Sequence, residues 1–184
     1  GGLAPTGGYI AGKAELIEKA ACRLTLPGIG GECGSMLGTS RLFFQGFFMA
    51  PHIVMQALKT AVFAAAMMHL CGYESFPRYD EKRSDIIQRI SLGSPVKMEA
   101  FCRGIQAGAP VDSFVSPVPA PMPGYDCDVI MAAGAFIQGS SIELSCDGPM
   151  RDPYCVYLQG GLTYESGKLG VMMAINGILK DYYH

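Results

Sequence analysis

From residue 73 onward, apolar runs of strand length alternate with longer stretches whose apolar residues recur at helical spacing, and turn-forming residues separate them. That alternation predicts an α+β domain in which helices cover one side of a mainly antiparallel sheet. Strand-like runs cover 73–76, 111–115, 129–137, 141–144 and 154–158, with Gln138-Gly139-Ser140 as a tight hairpin. A further run, 85–92, reads as a strand, although Ile86, Ile87 and Ile90 also suit a helix. Ser94-Pro95 forms an N-cap and first-turn pair, and the helix behind it places Met98, Phe101, Cys102 and Ile105 on one face. Thr163 caps a last helix whose expected inner face carries Leu169, Met172, Met173 and Ile175. Between them, prolines at 117, 119, 121 and 123 predict a stiff, extended segment.

The first 72 residues read differently. A short strand at 9–11 ends at Gly12, and a helix follows from about Ala14 with Leu16, Ile17, Ala20, Ala21 and Leu24 on one face, stopped by Pro27-Gly28. Five glycines at 28, 30, 31, 34 and 38 then exclude a regular element. Pro51 is expected to start a helix that runs to about Cys71 and stops at Gly72. That helix is apolar on most faces after Lys59, so it is expected to be largely buried.

Charge and composition narrow the partners. The 184 residues are 49% hydrophobic with a formal net charge of -2, which argues against disorder. Lys82, Arg83 and Arg89 are interleaved with Asp80, Glu81 and Asp85, a mixed face rather than the basic stripe a nucleic acid needs. The apolar run 61–68 is too short to span a bilayer, and no secretory pattern opens the chain. Both features lead to the expectation of a soluble protein with no membrane partner. Seven cysteines without a CxxC spacing read as free thiols of a reducing cytoplasm, and three scattered histidines give no zinc constellation. The Gly-rich opening without an initiator methionine leads to the expectation of a fragment of a longer chain.

Four long stretches then carry a resemblance: GGLAPTGGYIAG at 1–12, QGFFMAPH at 45–52, MPGYDCDVIMAAGAFIQ at 122–138 and SIELSCDGPMRDPYCVYLQGG at 141–161. Together they resemble the aluminium-resistance, methionine γ-lyase-like family, which is similar to the cystathionine lyases. The resemblance implies an α/β protein of the fold-type I, pyridoxal-phosphate-dependent transferase-like class. Residues 1–50 would then be the tail of the cofactor-binding large domain with a connecting loop, and 51–184 the C-terminal small domain. It implies pyridoxal 5'-phosphate as cofactor, bound by a lysine just upstream of Gly1. The partners it implies are an amino-acid substrate, the chain's own N-terminal half, and further copies in a homodimer or homotetramer.

Within this frame, Gly1, Gly2, Thr6, Gly7 and Gly8 are candidates to approach the cofactor phosphate through backbone N–H groups, or they form a turn that merely positions the lysine. The second Gly-rich loop, with Thr39 and Ser40 at its end, is open to the same reading, but no lysine or arginine lies inside it and a connecting role fits better. Arg151, in the turn Gly148-Pro149-Met150-Arg151-Asp152-Pro153, is the candidate clamp for the substrate α-carboxylate, the alternative being an ion pair with Asp147 or Asp152. Related lyases carry that clamp in a strand-like Arg-Leu-Ser segment, where this chain reads Tyr157-Leu158-Gln159. Tyr154 and Tyr157 as phenols near the site, His52 near its entrance, and Lys13 or Lys59 as alternative cofactor lysines are weaker candidates. The activity implied is β- or γ-elimination on a sulfur amino acid; an aminotransferase or other Cα chemistry, and a non-catalytic binding or assembly fragment, are the alternatives.

Overall fold

The computed structural model describes residues 3, 9–25, 38–133, 144–161 and 163–180. Two units divide between Ala50 and Pro51. In the first, α1 (Ala14–Leu24) forms where its apolar face was read, with Glu15 in the first turn, Arg23 in the last and a Lys19–Glu15 ion pair of 2.6 Å one turn apart. It ends at Thr25, whose N–H and hydroxyl both bond the Ala21 carbonyl, so the stop precedes Pro27. Residues 9–11 form no strand.

The helix expected from Pro51 begins eleven residues earlier. Helix α2 spans Ser40–Leu70 with Pro51 in its interior. Proline there removes one i→i−4 bond, and the helix runs on through it. It ends in a Schellman motif: the Gly72 N–H bonds the His69 carbonyl at 3.0 Å, and the Tyr73 N–H bonds that of Met68 at 2.9 Å. Gly72 holds φ 80°, which only glycine adopts without strain. By length and composition α2 is long and apolar enough to cross a membrane, so the run 61–68 understated it. Its C-terminal half instead buries one stripe, Ile53, Ala57, Thr60, Ala61, Ala64, Ala65 and Met68, and Ala64 and Met68 join the core. Val54, Met55 and Val62 stay exposed, so α2 is half-buried rather than largely buried.

The second unit is a five-stranded antiparallel sheet backed by helices. Strands β1 (Ser75–Phe76), β2 (Gln88–Ser91), β3 (Val129–Ala133), β4 (Ser145–Pro149) and β5 (Cys155–Gln159) lie in the order β1-β2-β5-β4-β3. Helix α3 (Pro95–Ala107) buries Met98, Phe101, Cys102 and Ile105 as expected and lies against β3 and β4. The run 111–115 is a turn instead of a strand: Asp112 takes φ 56° and its carbonyl receives the Val115 N–H. Of the strand expected at 141–144 only Leu144 is described, directly before β4; residues 134–143, including the Gln138-Gly139-Ser140 hairpin, lie outside the described residues.

Helix α4 (Tyr164–Lys180) is capped by Thr163, whose Oγ1 accepts the Ser166 N–H at 3.3 Å. Its inner face differs from expectation. Leu169 and Met172 are exposed, and Gly167, Gly170, Val171, Ala174, Ile175 and Ile178 face inward. The reason is the approach of α3. A Cβ on Gly104 would lie 2.4 Å from the Ala174 Cα, and one on Gly108 2.6 Å from the Gly170 Cα. Two helices whose backbones meet this closely admit only small residues at the crossing.

Register sorts the side chains of the sheet. Gln88, Ile90, Val156, Leu158, Cys146, Gly148, Ile130 and Ala132 face the helices and are buried. Residues one step along each strand face away; there Phe76, Arg89, Tyr157 and Met131 are exposed, while Val129 and Cys155 are buried.

Candidate functional site

The face away from the helices carries one continuous cross-strand row. Phe76 lies opposite Arg89, Arg89 opposite Tyr157, Tyr157 opposite Asp147 and Asp147 opposite Met131. An outward face built of two aromatics and a methionine around an arginine and an aspartate is chemically unlike a solvated surface. The Arg89 guanidinium sits 5.8 Å from the Phe76 ring centroid. Cavities of about 530 Å³ and 640 Å³ flank it, and Phe76, Glu81 and Arg89 line both.

Burial holds the Asp147 carboxyl above the usual carboxylate range. A raised acid favours its protonated form in the folded chain. Stability from this group is therefore fully present below the unfolded value and lost as pH rises through the raised one. Asp147→Asn is expected to match the parent in acid and to exceed it in thermal stability at neutral pH; equal pH slopes for the two chains would show that the carboxyl titrates as an exposed one.

Arg151 lies on the turn between β4 and β5, where its N–H bonds the Pro149 carbonyl and its carbonyl receives the Tyr154 N–H at 2.7 Å. Its guanidinium pairs with Asp126 at 3.2 Å, rather than with Asp147 or Asp152, and both partners are exposed. Such an exposed pair contributes about 0–1 kcal/mol, so exchanging Asp126 for a ligand carboxylate costs little. The Met150 N–H bonds the Asp128 carbonyl, which brings the segment after the prolines beside this turn. Of the two tyrosines, Tyr157 is on the face away from the helices and Tyr154 packs against the core. His52 is exposed on α2.

Gly1, Gly2, Thr6, Gly7 and Gly8 lie outside the described residues, as does all but Gly38 of the loop 28–38. Ser40 starts α2, and the Thr39 carbonyl receives the Leu42 and Phe43 N–H groups. Lys13 precedes α1 and is exposed. Lys59 is exposed as well, over the Tyr164 ring at 5.9 Å beside an apolar groove lined by Met55, Leu58, Val62 and Phe63. Lys168 stands over the Phe63 ring at 6.0 Å as a second cation, but no residue lining the groove is an acid for a pyridine nitrogen, so the residues around Lys59 fit pyridoxal phosphate only in part. Among the described residues no group of three metal-ligating side chains comes together, and the six described cysteines are free.

In the sequence Arg89 stands only as part of a mixed charged face. Its partner Tyr157 stands 68 positions away, and alternation within β2 alone does not reveal which strand pairs with it. Gln106 was missed as well. It is fully buried and donates to the Asp112 and Ala133 carbonyls while accepting the Ala133 N–H, which fixes the end of α3 to the end of β3.

Comparison with known proteins gives these positions a frame. The family model described as methionine gamma-lyase matches residues 1–179. YnbB of Bacillus subtilis strain 168 is 52% identical over 180 residues, covering 98% of this chain and 43% of that protein. A solved carbon-sulfur lyase involved in aluminium resistance from Clostridium novyi NT is 58% identical with TM-score 0.88, covering 96% of this chain and 41% of its own. A Listeria monocytogenes structure, whose name proposes a cystathionine beta-lyase involved in aluminium resistance, gives TM-score 0.91 at 54% identity over 96% of this chain and 44% of its own. This chain thus spans less than half the length of these relatives, and its mixed fold with an antiparallel sheet corresponds to part of a larger enzyme. With a model matched along nearly its whole length, the chain belongs to the methionine gamma-lyase family.

Proposed function

We propose that this chain is the C-terminal part of a pyridoxal-phosphate-dependent carbon-sulfur lyase that acts on a sulfur amino acid by β- or γ-elimination in the cytoplasm, as a homodimer or homotetramer. The observation that carries the reading is the 58% identity, at TM-score 0.88, to the Clostridium novyi carbon-sulfur lyase. Residues 1–50 would belong to the cofactor-binding large domain and 51–184 to the small domain. The cofactor-binding lysine would precede Gly1, with Gly1, Gly2, Thr6, Gly7 and Gly8 near the phosphate.

When bound, the cofactor supplies an electron sink for the carbanion at Cα. The contribution of this chain is recognition. Arg151 would hold the α-carboxylate on a turn braced by its own backbone bonds, exchanging the Asp126 carboxylate for that of the substrate. The sheet face that carries Arg89 and Tyr157 would close over the amino acid and exclude water.

The test joins the preceding segment of the Clostridium novyi lyase to this chain. Arg151→Ala is expected to raise KM for the amino acid about a hundredfold while cofactor content stays at the parent level. An unchanged KM would remove Arg151 from the carboxylate role. Loss of cofactor together with activity would mean that the arginine holds the fold or the cofactor instead.

A further inference from the structure

We infer that the groove between α2 and the start of α4 is the seat of the segment that precedes Gly1 in the full-length enzyme, and that this segment presents a large apolar side chain flanked by carboxylates. The inference rests on the reading of this chain as the C-terminal part of a longer protein; it does not rest on the lyase chemistry.

The groove lies within the second unit and its frame is fixed by close contacts. Gln56 on α2 accepts the Tyr164 N–H through Oε1 at 2.9 Å, which ties the first turn of α4 to α2. One turn further on each helix, Gly167 meets Thr60, where a Cβ would lie 2.3 Å from the threonine Oγ1. Contacts of this kind set the helix spacing by backbone position, so the groove of about 570 Å³ beside them is a standing feature of the unit.

Its floor is an edge-to-face pair. The Phe63 and Tyr164 rings stand 5.9 Å apart between centroids with their planes at 84°. Met55, Leu58, Val62 and Ala66 continue the lining at helical spacing, on the side of α2 opposite its core stripe. Met55 remains 43% exposed and Val62 37%, so the described residues leave the groove open. A concave apolar surface of this kind is a docking surface.

Charge at the rim defines the occupant. The Lys59 Nζ stands 5.9 Å from the Tyr164 ring centroid and the Lys168 Nζ 6.0 Å from that of Phe63. Among the described residues neither ammonium has an ion pair. Glu165 is exposed beside Tyr164 but reaches neither lysine, and no acid lines the groove. An apolar floor between two cations complements an apolar side chain with carboxylates on its flanks.

The same charges disfavour a second copy. A two-fold interface through this groove sets the patch against itself, which brings Lys59 and Lys168 towards their own counterparts. A concave site also takes a protruding side chain better than the level surface of a bilayer. The remaining source is the rest of the enzyme. This chain covers 41% and 44% of the two solved relatives, so more than half of each lies outside it.

The test compares the 184-residue chain with the chain joined to the preceding segment of the Clostridium novyi lyase. Acetic anhydride modifies exposed lysines, and mass spectrometry reads the rate at each position. Lys59 and Lys168 are expected to react at least about tenfold more slowly in the joined protein, independently of protein concentration. A zero-length carbodiimide should link one or both to an Asp or Glu of the preceding segment. Val62→Asp should melt like the parent as the 184-residue chain, and in the joined protein it should return both lysines to the unprotected rate. Lys59→Glu should weaken the protection of Lys168, whereas Lys59→Arg should keep it.

Equal rates in the two proteins, or links confined to residues 1–184, would overturn the inference. Protection of the 184-residue chain that grows with its concentration would give the groove to a second copy, and protection that requires phosphatidylglycerol vesicles would give it to a membrane surface; either overturns it. Thiol release reads the lyase function separately. Protected lysines in a cofactor-loaded protein that releases no thiol overturn the lyase and leave the seat. Thiol release from a protein whose groove lysines stay reactive overturns the seat and leaves the lyase.

Discussion

Gly104→Leu is expected to abolish cooperative folding of the second unit. The first atom of any side chain at this position would lie 2.4 Å from the Ala174 Cα, 2.6 Å from its N and 2.7 Å from the Met173 carbonyl oxygen. All three are backbone atoms of α4, so no rotamer change relieves the clash and the helix itself must move. Overpacking a core costs about 1–3 kcal/mol where side chains can adjust, and a backbone obstacle raises that to about 4 kcal/mol or more. Marginal domains hold only about 5–15 kcal/mol in total. Gly104→Ala gains about 1 kcal/mol of helix propensity but meets the same contacts, so a net loss of about 2 kcal/mol is expected. Gly12→Ala is the control, because its Cβ meets only the Ile17 Cδ1 at 3.8 Å, an ordinary contact. Thermal unfolding of the three variants checks the series. A Gly104→Leu chain that melts like the parent would mean that α3 and α4 do not approach as described.

Gln106→Leu comes next in size. Leucine fills nearly the same volume but strands the Ala133 N–H and takes the Gln106 bond from the Ala133 carbonyl, both at 2.9 Å, while the Asp112 carbonyl keeps the Val115 N–H. Each buried group left without a partner costs about 1–3 kcal/mol, and relaxation at the nearby turn brings the expected loss to about 3 kcal/mol. Gln106→Glu separates hydrogen bonding from volume. An ionised carboxylate can still accept the Ala133 N–H but faces two carbonyl oxygens in a fully buried place. A protonated one can donate to one of them. The Glu variant is therefore expected to lose stability as pH rises through the range where its raised carboxyl ionises, while the Leu variant stays equally destabilised throughout. Denaturant titration at acid and neutral pH distinguishes the two. A pH-independent Glu variant would show that water reaches the position.

These two residues also show where sequence reading stops. Helix α3 was legible because Ser94-Pro95 marks its start and 98, 101, 102 and 105 trace one face. Its partner surface was not. Hydrophobic spacing on α4 pointed to Leu169 and Met172, and the glycines that in fact face α3 carry no apolar signal. Pro51 misled for a related reason: proline suits a first turn, yet one missing N–H does not by itself end a helix. The antiparallel sheet could be expected from short runs and turns, but strand order could not. Gln106 and Arg89 take their roles from partners 27 and 68 positions away, respectively. Arg151 was legible only through the family resemblance, and its pairing with Asp126 depends on a backbone bond that no local pattern encodes.

The central claim is that this fold supplies the recognition half of a carbon-sulfur lyase. Product analysis of the chain joined to the preceding segment of the Clostridium novyi lyase, supplied with pyridoxal phosphate and L-cystathionine, tests it most directly. Thiol, ammonia and 2-oxo acid in equal amounts are the predicted result. Transfer of the amino group to an added 2-oxo acid without thiol, or no reaction from a protein carrying its full complement of cofactor, would contradict it.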